Sequence, residues 1–265
     1  MNTPSPVGTL LREWRQRRRL SQLDLAVEAE ISSKHLSFIE TGRSQPSREM
    51  LLHLAELLEV PLREQNAMLL AAGFAPMFSE RPLSDPALQS ARAAVELVLK
   101  GHEPYPAIAV DRHWTMVASN AAVAGLLAGI DPVMLTPPIN VLRLSLHPDG
   151  LASRIVNLAE WRSHLFARLR KQISASGDAT LIRLLAELGE YPAPASHAGA
   201  EDSGAEPAFV VPFRLATPAG VLSFISTITV FGTPVDVTLA ELAVESFFPA
   251  DAVTAAILSE SGRRS

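Results

Sequence analysis

The sequence predicts two fold classes in series: an all-α region of short helices over residues 1–75, then an α+β domain over residues 87–265 in which an antiparallel sheet carries helices on one face. Three observations lead there. Apolar residues recur at helical spacing through the first seventy-five positions, in segments bounded by serines and glycines. A proline-rich stretch, residues 76–86, breaks that pattern and reads as a linker. Beyond it a hairpin, a run of helices and further alternating strands follow in the order of an α+β domain.

Composition sets the outer bounds. The chain has 265 residues, 48% of them hydrophobic, which is ample for buried cores and excludes disorder or a coiled coil for its bulk. It has no cysteine, so disulfides, thiolate metal sites and cysteine nucleophiles are excluded. The net charge of −5 conceals a split, because residues 1–50 hold eight Lys/Arg against six Asp/Glu and the remainder fifteen against twenty-two. Met1 is followed by a polar, proline-containing start and a charged helix, so no signal peptide is expected. The longest uncharged stretch, Leu215 to Val235, contains Pro218, Gly220, Gly232 and Pro234 and alternates with period two. It reads as strand and turn rather than as a membrane span, and the expectation is a cytoplasmic protein with no membrane partner.

Five helices are expected at the N-terminus. The first carries Val7, Leu10, Leu11 and Trp14 and ends near Leu20; the second starts at Ser21, with Asp24 as a capping-box partner. Leu23, Leu25, Ala26 and Ala29 follow on the second helix. Ile31 fills a tight connection, Ser32 can cap a third helix bearing Leu36 and Ile39, and Gly42 ends it. A fourth helix is expected from about Ser47 to Glu59 and a fifth from about Leu62 to Ala72. Leu23, Leu36 and Ile39 are expected in the core. Two short helices joined by a few residues inside a helical bundle form a helix-turn-helix pattern.

The runs Leu20-Ser21-Gln22-Leu23-Asp24-Leu25-Ala26 and His35-Leu36-Ser37-Phe38-Ile39-Glu40-Thr41-Gly42-Arg43-Ser44 resemble the xenobiotic-response-element, lambda-repressor-like family over about residues 7–73. The resemblance implies double-stranded DNA as a partner, and the matching positions have physical reasons. Gln22, at a helix N-terminus, can reach a phosphate. Ser32 sits at the start of the third helix, with Ser33 and Lys34 on its first turn, the part that enters the major groove; Ser37 and Phe38 lie one turn further on. Lys34 reads guanine or holds a phosphate, and Phe38 suits a thymine methyl. The resemblance further implies that Arg15 pairs with Glu40 and that Arg43 contacts backbone phosphate. Arg17, Arg18 and Arg19 are open to two readings, phosphate contact or a solvated charge run. Glu30 stands where the family often has glycine.

In the second domain a helix is expected from about Pro86 to Lys100, then a strand over Tyr105–Val110, a turn at Asp111-Arg112-His113 and a partner strand from Trp114 to Ala118. Asn120 opens a helix of small residues, and Asn140 to His147 is a short helix. Leu151 to Ser174 is the longest helix, with Leu151, Ile155, Leu158, Trp161, Leu165 and Leu169 as its apolar stripe. Asp178 caps another, and a polar loop spans about Ala193 to Glu206. Three strands follow, alternating through Phe209, Val211, Phe213 and Leu215, then through Leu222, Phe224, Ile228 and Val230, then from about Leu239 to Phe247, where a short helix is the alternative. A terminal helix covers Asp251 to Ser259. This order resembles a PAS-like fold.

The motifs Pro104-Tyr105-Pro106-Ala107, Asp111-Arg112-His113-Trp114 with Asn120, Asn140-Val141-Leu142-Arg143 with His147-Pro148, and Phe247-Phe248-Pro249-Ala250-Asp251 are similar to those of the MmyB-like transcription regulators. That resemblance implies a second domain that holds a fatty-acid-like ligand between sheet and helices; with the helix-turn-helix the chain reads as a one-component regulator, its charge of only +2 over residues 1–50 points to a homodimer on DNA, and no cofactor is expected. Such a ligand needs an apolar pocket and a cation with a neutral donor at one end. Asn140 and Arg143, three residues apart on one short helix, fit that need; the plain alternative is a helix cap and a surface ion pair. Trp161, Val117 and Phe224 are candidate tail contacts or simply core. Two rival functions stay open at this point, a ligand-free dimerisation or interaction module and an enzyme acting on the ligand. The seven histidines lack a zinc-hydrolase spacing, though His147 or His164 could serve a haem. No phosphate loop, dinucleotide fingerprint or nucleophile elbow is present, and the acidic residues of the second half read as solvated surface. No catalytic residue and no metal ligand is nominated.

Overall fold

Serine side chains start three of the first five helices. The computed structural model describes residues 7–192, 211–232, 234 and 236–262. Within it the first helices are α1 (Val7–Arg17), α2 (Gln22–Glu28), α3 (Ser33–Glu40), α4 (Arg48–Leu57) and α5 (Leu62–Ala71). Ser21 and Asp24 exchange backbone and side-chain bonds at the head of α2, at 3.1 and 2.8 Å. Ser32 and Ser47 accept from His35 and Met50 at the heads of α3 and α4. Each cap satisfies a backbone donor that the helix itself leaves unpaired. The helices enclose Leu11, Trp14, Leu25, Leu36, Ile39, Leu51, Leu54, Leu58 and Met68. Leu23 is not among them: it is 62% exposed, because α2 buries Leu25, Ala26 and Ala29 instead. Glu30 takes the left-handed conformation (φ 54°), the backbone state that favours glycine in the turn between α2 and α3.

The chain divides into two units, and the division is not a single cut. The first unit comprises residues 1–82 together with 233–240; the second comprises 83–232 and 241–265. Residues of the expected linker are built onto the first unit. Asn66 of α5 holds the backbone of Met77 and Phe78 through three hydrogen bonds of 2.7–3.0 Å. Ser79 bridges to Asp236, and Thr238 donates to the carbonyl of Arg81 at 2.6 Å. Those bonds seat the four-residue helix α11 (Val237–Ala240) in the first unit.

The second unit is built on a five-stranded antiparallel sheet. Its strands are β1 (Ala107–Val110), β2 (Met116–Ser119), β3 (Phe213–Thr217), β4 (Gly220–Val230) and β5 (Ala243–Pro249), in the order β2-β1-β5-β4-β3. With its helices it forms the expected α+β, PAS-like domain. Helices α7 (Ala121–Leu127), α8 (Val141–Leu146), α9 (Leu158–Ser176) and α10 (Ala179–Glu190) belong to the large core with the sheet, and α12 (Ala252–Gly262) adds Leu258 to it. Helix α6 (Gln89–Gly101) departs from the expected one-faced arrangement. Its Val95 and Leu99 pack with Ala107, Ala109, Leu242 and Val244, whereas Ile108 and Val110 belong to the main core. Strand β1 is therefore buried on both faces, and its alternate alanines let α6 approach closely.

Two boundaries differ from expectation for identifiable reasons. The long helix begins at Leu158 rather than Leu151, because Ile155 bridges to Leu215 and the Val156 amide donates to the Arg214 carbonyl at 2.9 Å. Residues before Leu158 are thus spent covering the edge strand β3. The last strand begins at Ala243, after α11. The polar loop Ala193–Glu206 and Phe209 lie outside the described residues.

Asn120 is buried at the junction of three elements. Its amide donates to the carbonyls of Leu99 and Tyr105 and its oxygen accepts from the Ala107 amide, so it ties α6 and β1 to the head of α7. In the first unit the tightest approach is at Gly8, where a Cβ would overlap the carbonyl oxygens of Ile39 and Glu40. Gly8→Ala is expected to lower stability to denaturant by about 1–3 kcal/mol through overpacking. Gly125→Ala, on α7 where an added Cβ meets nothing, should be neutral or stabilising by up to about 1 kcal/mol.

Candidate functional site

Glu40, the last residue of α3, has a side chain with no solvent exposure. It accepts from Arg15 Nε at 2.6 Å and Nη2 at 2.9 Å, from Gln22 Nε2 at 2.7 Å and from Arg12 Nε at 3.4 Å. Burial by itself raises a carboxyl pKa, but here the hydrogen bonds from Arg15, Gln22 and Arg12, with the charge of Arg15, outweigh it and hold Glu40 below the usual carboxylate range. The stabilisation is therefore present above the carboxyl's unfolded pKa and lost as pH falls through the folded one. The hydrogen bond to Glu40 raises Arg15 correspondingly.

This cluster fixes α3 against α1 and the head of α2. Ser32, Ser33 and Lys34 are exposed at the head of α3, and Ser37 and Phe38 are half-buried one turn on. Lys34 Nζ lies 5.7 Å and the Arg43 guanidinium 5.9 Å from the Phe38 ring centroid, so two cations lie close to one aromatic ring. Gln22 is only partly free, because one of its two amide hydrogens is committed to Glu40. Of the two readings of the arginine run, Arg18 takes neither. It donates to the carbonyls of Leu58 and Glu59 at 2.7 and 2.8 Å, tying the end of α1 to the end of α4. The Arg17 guanidinium lies 5.0 Å from the Trp14 ring.

In the second unit an apolar cavity of about 90 Å³ lies between the sheet and helices α7, α8 and α9. Ile108, Met116, Phe213 and Phe247 face it from the strands; Val123, Leu126, Leu142 and Leu165 face it from the helices. Besides the Trp161 indole, only Ser145 and Glu245 among its lining residues carry polar side chains. Trp161 Nε1 donates to Ser145 Oγ at 3.0 Å, and Arg168 Nη1 donates to Glu245 Oε1 at 3.0 Å.

Of the five predicted ligand contacts, the structure brings only Trp161 to this cavity. Phe224 is fully buried against Phe213 and Phe247 without lining it. Val117 projects from the outer side of β2 and is 41% exposed. Asn140 caps α8, accepting from the Leu142 and Arg143 amides, and donates to the His113 carbonyl at 2.8 Å. Arg143 forms a two-point pair with Glu187 at 2.6 and 2.7 Å on the surface. That pair raises the Arg143 pKa and lowers that of Glu187. Neighbouring Tyr191 is pushed up to about 12 by burial and by its hydrogen bond to Glu187. Three-residue spacing correctly places Asn140 and Arg143 near each other, but the face they share is turned to other partners. Neither His147 nor His164 lines the cavity: His147 packs edge-on to Tyr191, and His164 stacks on Trp161, its pKa lowered by burial and by Arg168.

Glu245 is the residue that sequence reasoning missed. It is 4% exposed, where the acidic residues of this half were expected on the surface. The available signal was its place in the strand, with Ala243, Glu245 and Phe247 on one face and Val244 on the other.

A family model for the MmyB-like transcription regulator ligand binding domain matches residues 91–260, and a helix-turn-helix domain model matches residues 6–68. The chain belongs to the MmyB-like transcription regulators. No match to a characterised protein emerges from comparison of the chain. As an MmyB-like regulator it joins a helix-turn-helix that binds DNA to a domain that binds a ligand, and both matched families are regulatory rather than enzymatic. Among the described residues no helix is long and apolar enough to cross a membrane, and no group of three His, Asp or Glu is placed to hold a metal.

Lys34→Ala and Gln22→Ala are each expected to weaken operator binding in gel-shift titrations. A phosphate role for Lys34 predicts a salt slope smaller by about one, and a guanine role predicts a loss of about 1–3 kcal/mol that depends on operator sequence. Arg143→Ala is expected to leave ligand affinity unchanged and to cost at most about 1 kcal/mol in a melt, because its ion pair is solvent-screened.

Proposed function

We propose that this MmyB-like regulator is a cytoplasmic one-component switch, with no cofactor, that reads DNA as a homodimer and responds to a small apolar or fatty-acid-like molecule. Ser32, Ser33, Lys34, Ser37 and Phe38 face the major groove, and Gln22 and Arg43 reach phosphates. Two such units on a pseudo-palindrome place their half-sites about 34 Å apart. Residues 1–50 carry a net charge of only +2, which argues for few phosphate contacts per protomer and hence for affinity gained through pairing.

The apolar cavity carries the sensory half of this reading. A void of about 90 Å³ costs on the order of 2 kcal/mol in lost packing, which a ligand that fills it recovers. A wall this apolar offers water few hydrogen bonds and suits an alkyl chain. Small-molecule sites run to roughly 300–1,000 Å³, so a long chain must widen this void, and widening it moves α7, α8 or α9 against the sheet. A ligand that binds the widened form better shifts the equilibrium between two arrangements. The rival reading, a dimerisation module with a filled core, has no use for the void.

The test is to denature the purified protein, extract it with organic solvent and identify bound lipid by mass spectrometry, with thermal-shift titrations of C10–C18 chains alongside. A co-purifying alkyl-chain lipid and a concentration-dependent rise in melting temperature are expected. An empty extract with flat titrations would overturn the reading.

A further inference from the structure

The apolar cavity shares a wall with a second space. Leu126 of α7 lines the cavity, and it also lines an outer groove between α7, the β3–β4 hairpin and α12. The groove has a volume of about 640 Å³, against about 90 Å³ for the cavity. Gly125 faces it from α7, Pro218 from the turn of the hairpin and Ile257 from α12. Leu222 and Leu258, which also line it, are buried members of the same core that surrounds the cavity. The groove therefore reaches down to that core, and Leu126 stands between the two spaces.

Size and chemistry decide what each space can hold. A void of about 150 Å³ takes one benzene ring, so the smaller cavity holds only a few carbon atoms. The groove falls within the roughly 300–1,000 Å³ of small-molecule sites. Its polar lining residues are engaged locally. The Thr217 hydroxyl donates to the Gly220 carbonyl and the Ser259 hydroxyl to the Ala255 carbonyl, both at 2.8 Å, and Glu103 accepts from the Ala121 amide at 3.3 Å. Among the described residues no Lys, Arg or His lines it, so it suits hydrocarbon rather than an anionic head. The backbone of the partition is anchored, because Arg154 donates to the Leu126 and Ala128 carbonyls at 3.1 Å and to the Ala216 carbonyl of β3 at 3.2 Å. The half-buried Leu126 side chain is the part that can turn aside.

We propose that the outer groove is the second half of the ligand site. A long alkyl chain displaces the Leu126 side chain, places its tail in the cavity and lays the rest of its length along the groove, with its polar head at the solvent edge. This rests on the cavity being a ligand site, and it makes chain length the property that the protein selects. Each methylene buried along the groove raises affinity about fourfold.

The experiment is calorimetric titration of the full-length protein, stripped of lipid, with saturated fatty acids from hexanoate to tetradecanoate, repeated on Gly125→Phe. A Cβ added at Gly125 meets nothing within 4 Å, so phenylalanine occupies the groove without crowding the helix. In the wild-type protein affinity is expected to rise with length through the series. In Gly125→Phe the rise should stop early, so that tetradecanoate loses tenfold or more while the shortest chain that binds changes less than twofold. Identical affinities in the two proteins, or an equal loss at every length, overturn the role of the groove and leave the cavity as a ligand site. A wild-type affinity that does not rise with length overturns it too, and that comparison needs no variant to fold. Binding of no chain overturns the sensory reading itself, and this proposal with it.

Discussion

Glu40 is carried by the recognition helix, but the groups that satisfy it come from two other helices. A carboxylate shut away from water must be paired, and here Arg12 and Arg15 of α1 and Gln22 of α2 do so together. The helix that reads DNA therefore cannot rotate or slide without leaving a buried charge short of partners. Gly8 reinforces the constraint by letting α1 ride directly on the end of α3. Exposed Ser33 and Lys34 and half-buried Phe38 inherit their position from that cluster. The same cluster holds the amide of Gln22, so the heads of α2 and α3 are positioned by one network.

The second unit repeats the device with a different outcome. Glu245 is also a buried acid held by an arginine from another element, Arg168 of α9. At Glu40 the surrounding side chains close around the acid, whereas at Glu245 they leave a void. Glu40 joins three helices, whereas Glu245 joins the central strand to α9 beside the cavity. Around that void the polar ties lie at the periphery: Asn120 at the head of α7, Asn140 at the head of α8, and Arg143 with Glu187 between α8 and α10. The walls between those ties are mostly apolar side chains, with the Trp161–Ser145 and Arg168–Glu245 hydrogen bonds as the polar links among them.

Much of this was legible in the residues. The five N-terminal helices and their serine caps follow from helical spacing and capping chemistry, which are local. The α+β order of the second domain was legible for the same reason. What was not legible depends on partners distant in the chain. Ile155 matches the helical stripe, and only its bridge to Leu215 takes it out of the helix. Leu23 is apolar and on the right helix but on the wrong face. Asn140 and Arg143 are neighbours as expected, yet which way they face is decided by Glu187 and His113, more than twenty residues away. The segment near residue 245 read poorly because an inward acid breaks the alternation that identifies a strand. The irregularity that obscured the element marks the cavity.

The return of residues 233–240 to the first unit has a practical meaning for how the two halves depend on one another. The polypeptide passes from one unit to the other at three places, after residues 82, 232 and 240. No single cleavage yields two complete pieces: a fragment ending at 82 lacks α11 and the partners of Ser79 and Arg81, while the remainder carries that helix without its seat. The excursion leaves from the end of β4 and comes back just before β5, two residues ahead of the strand that bears Glu245. The two units are thus threaded through one another along the chain rather than strung in sequence.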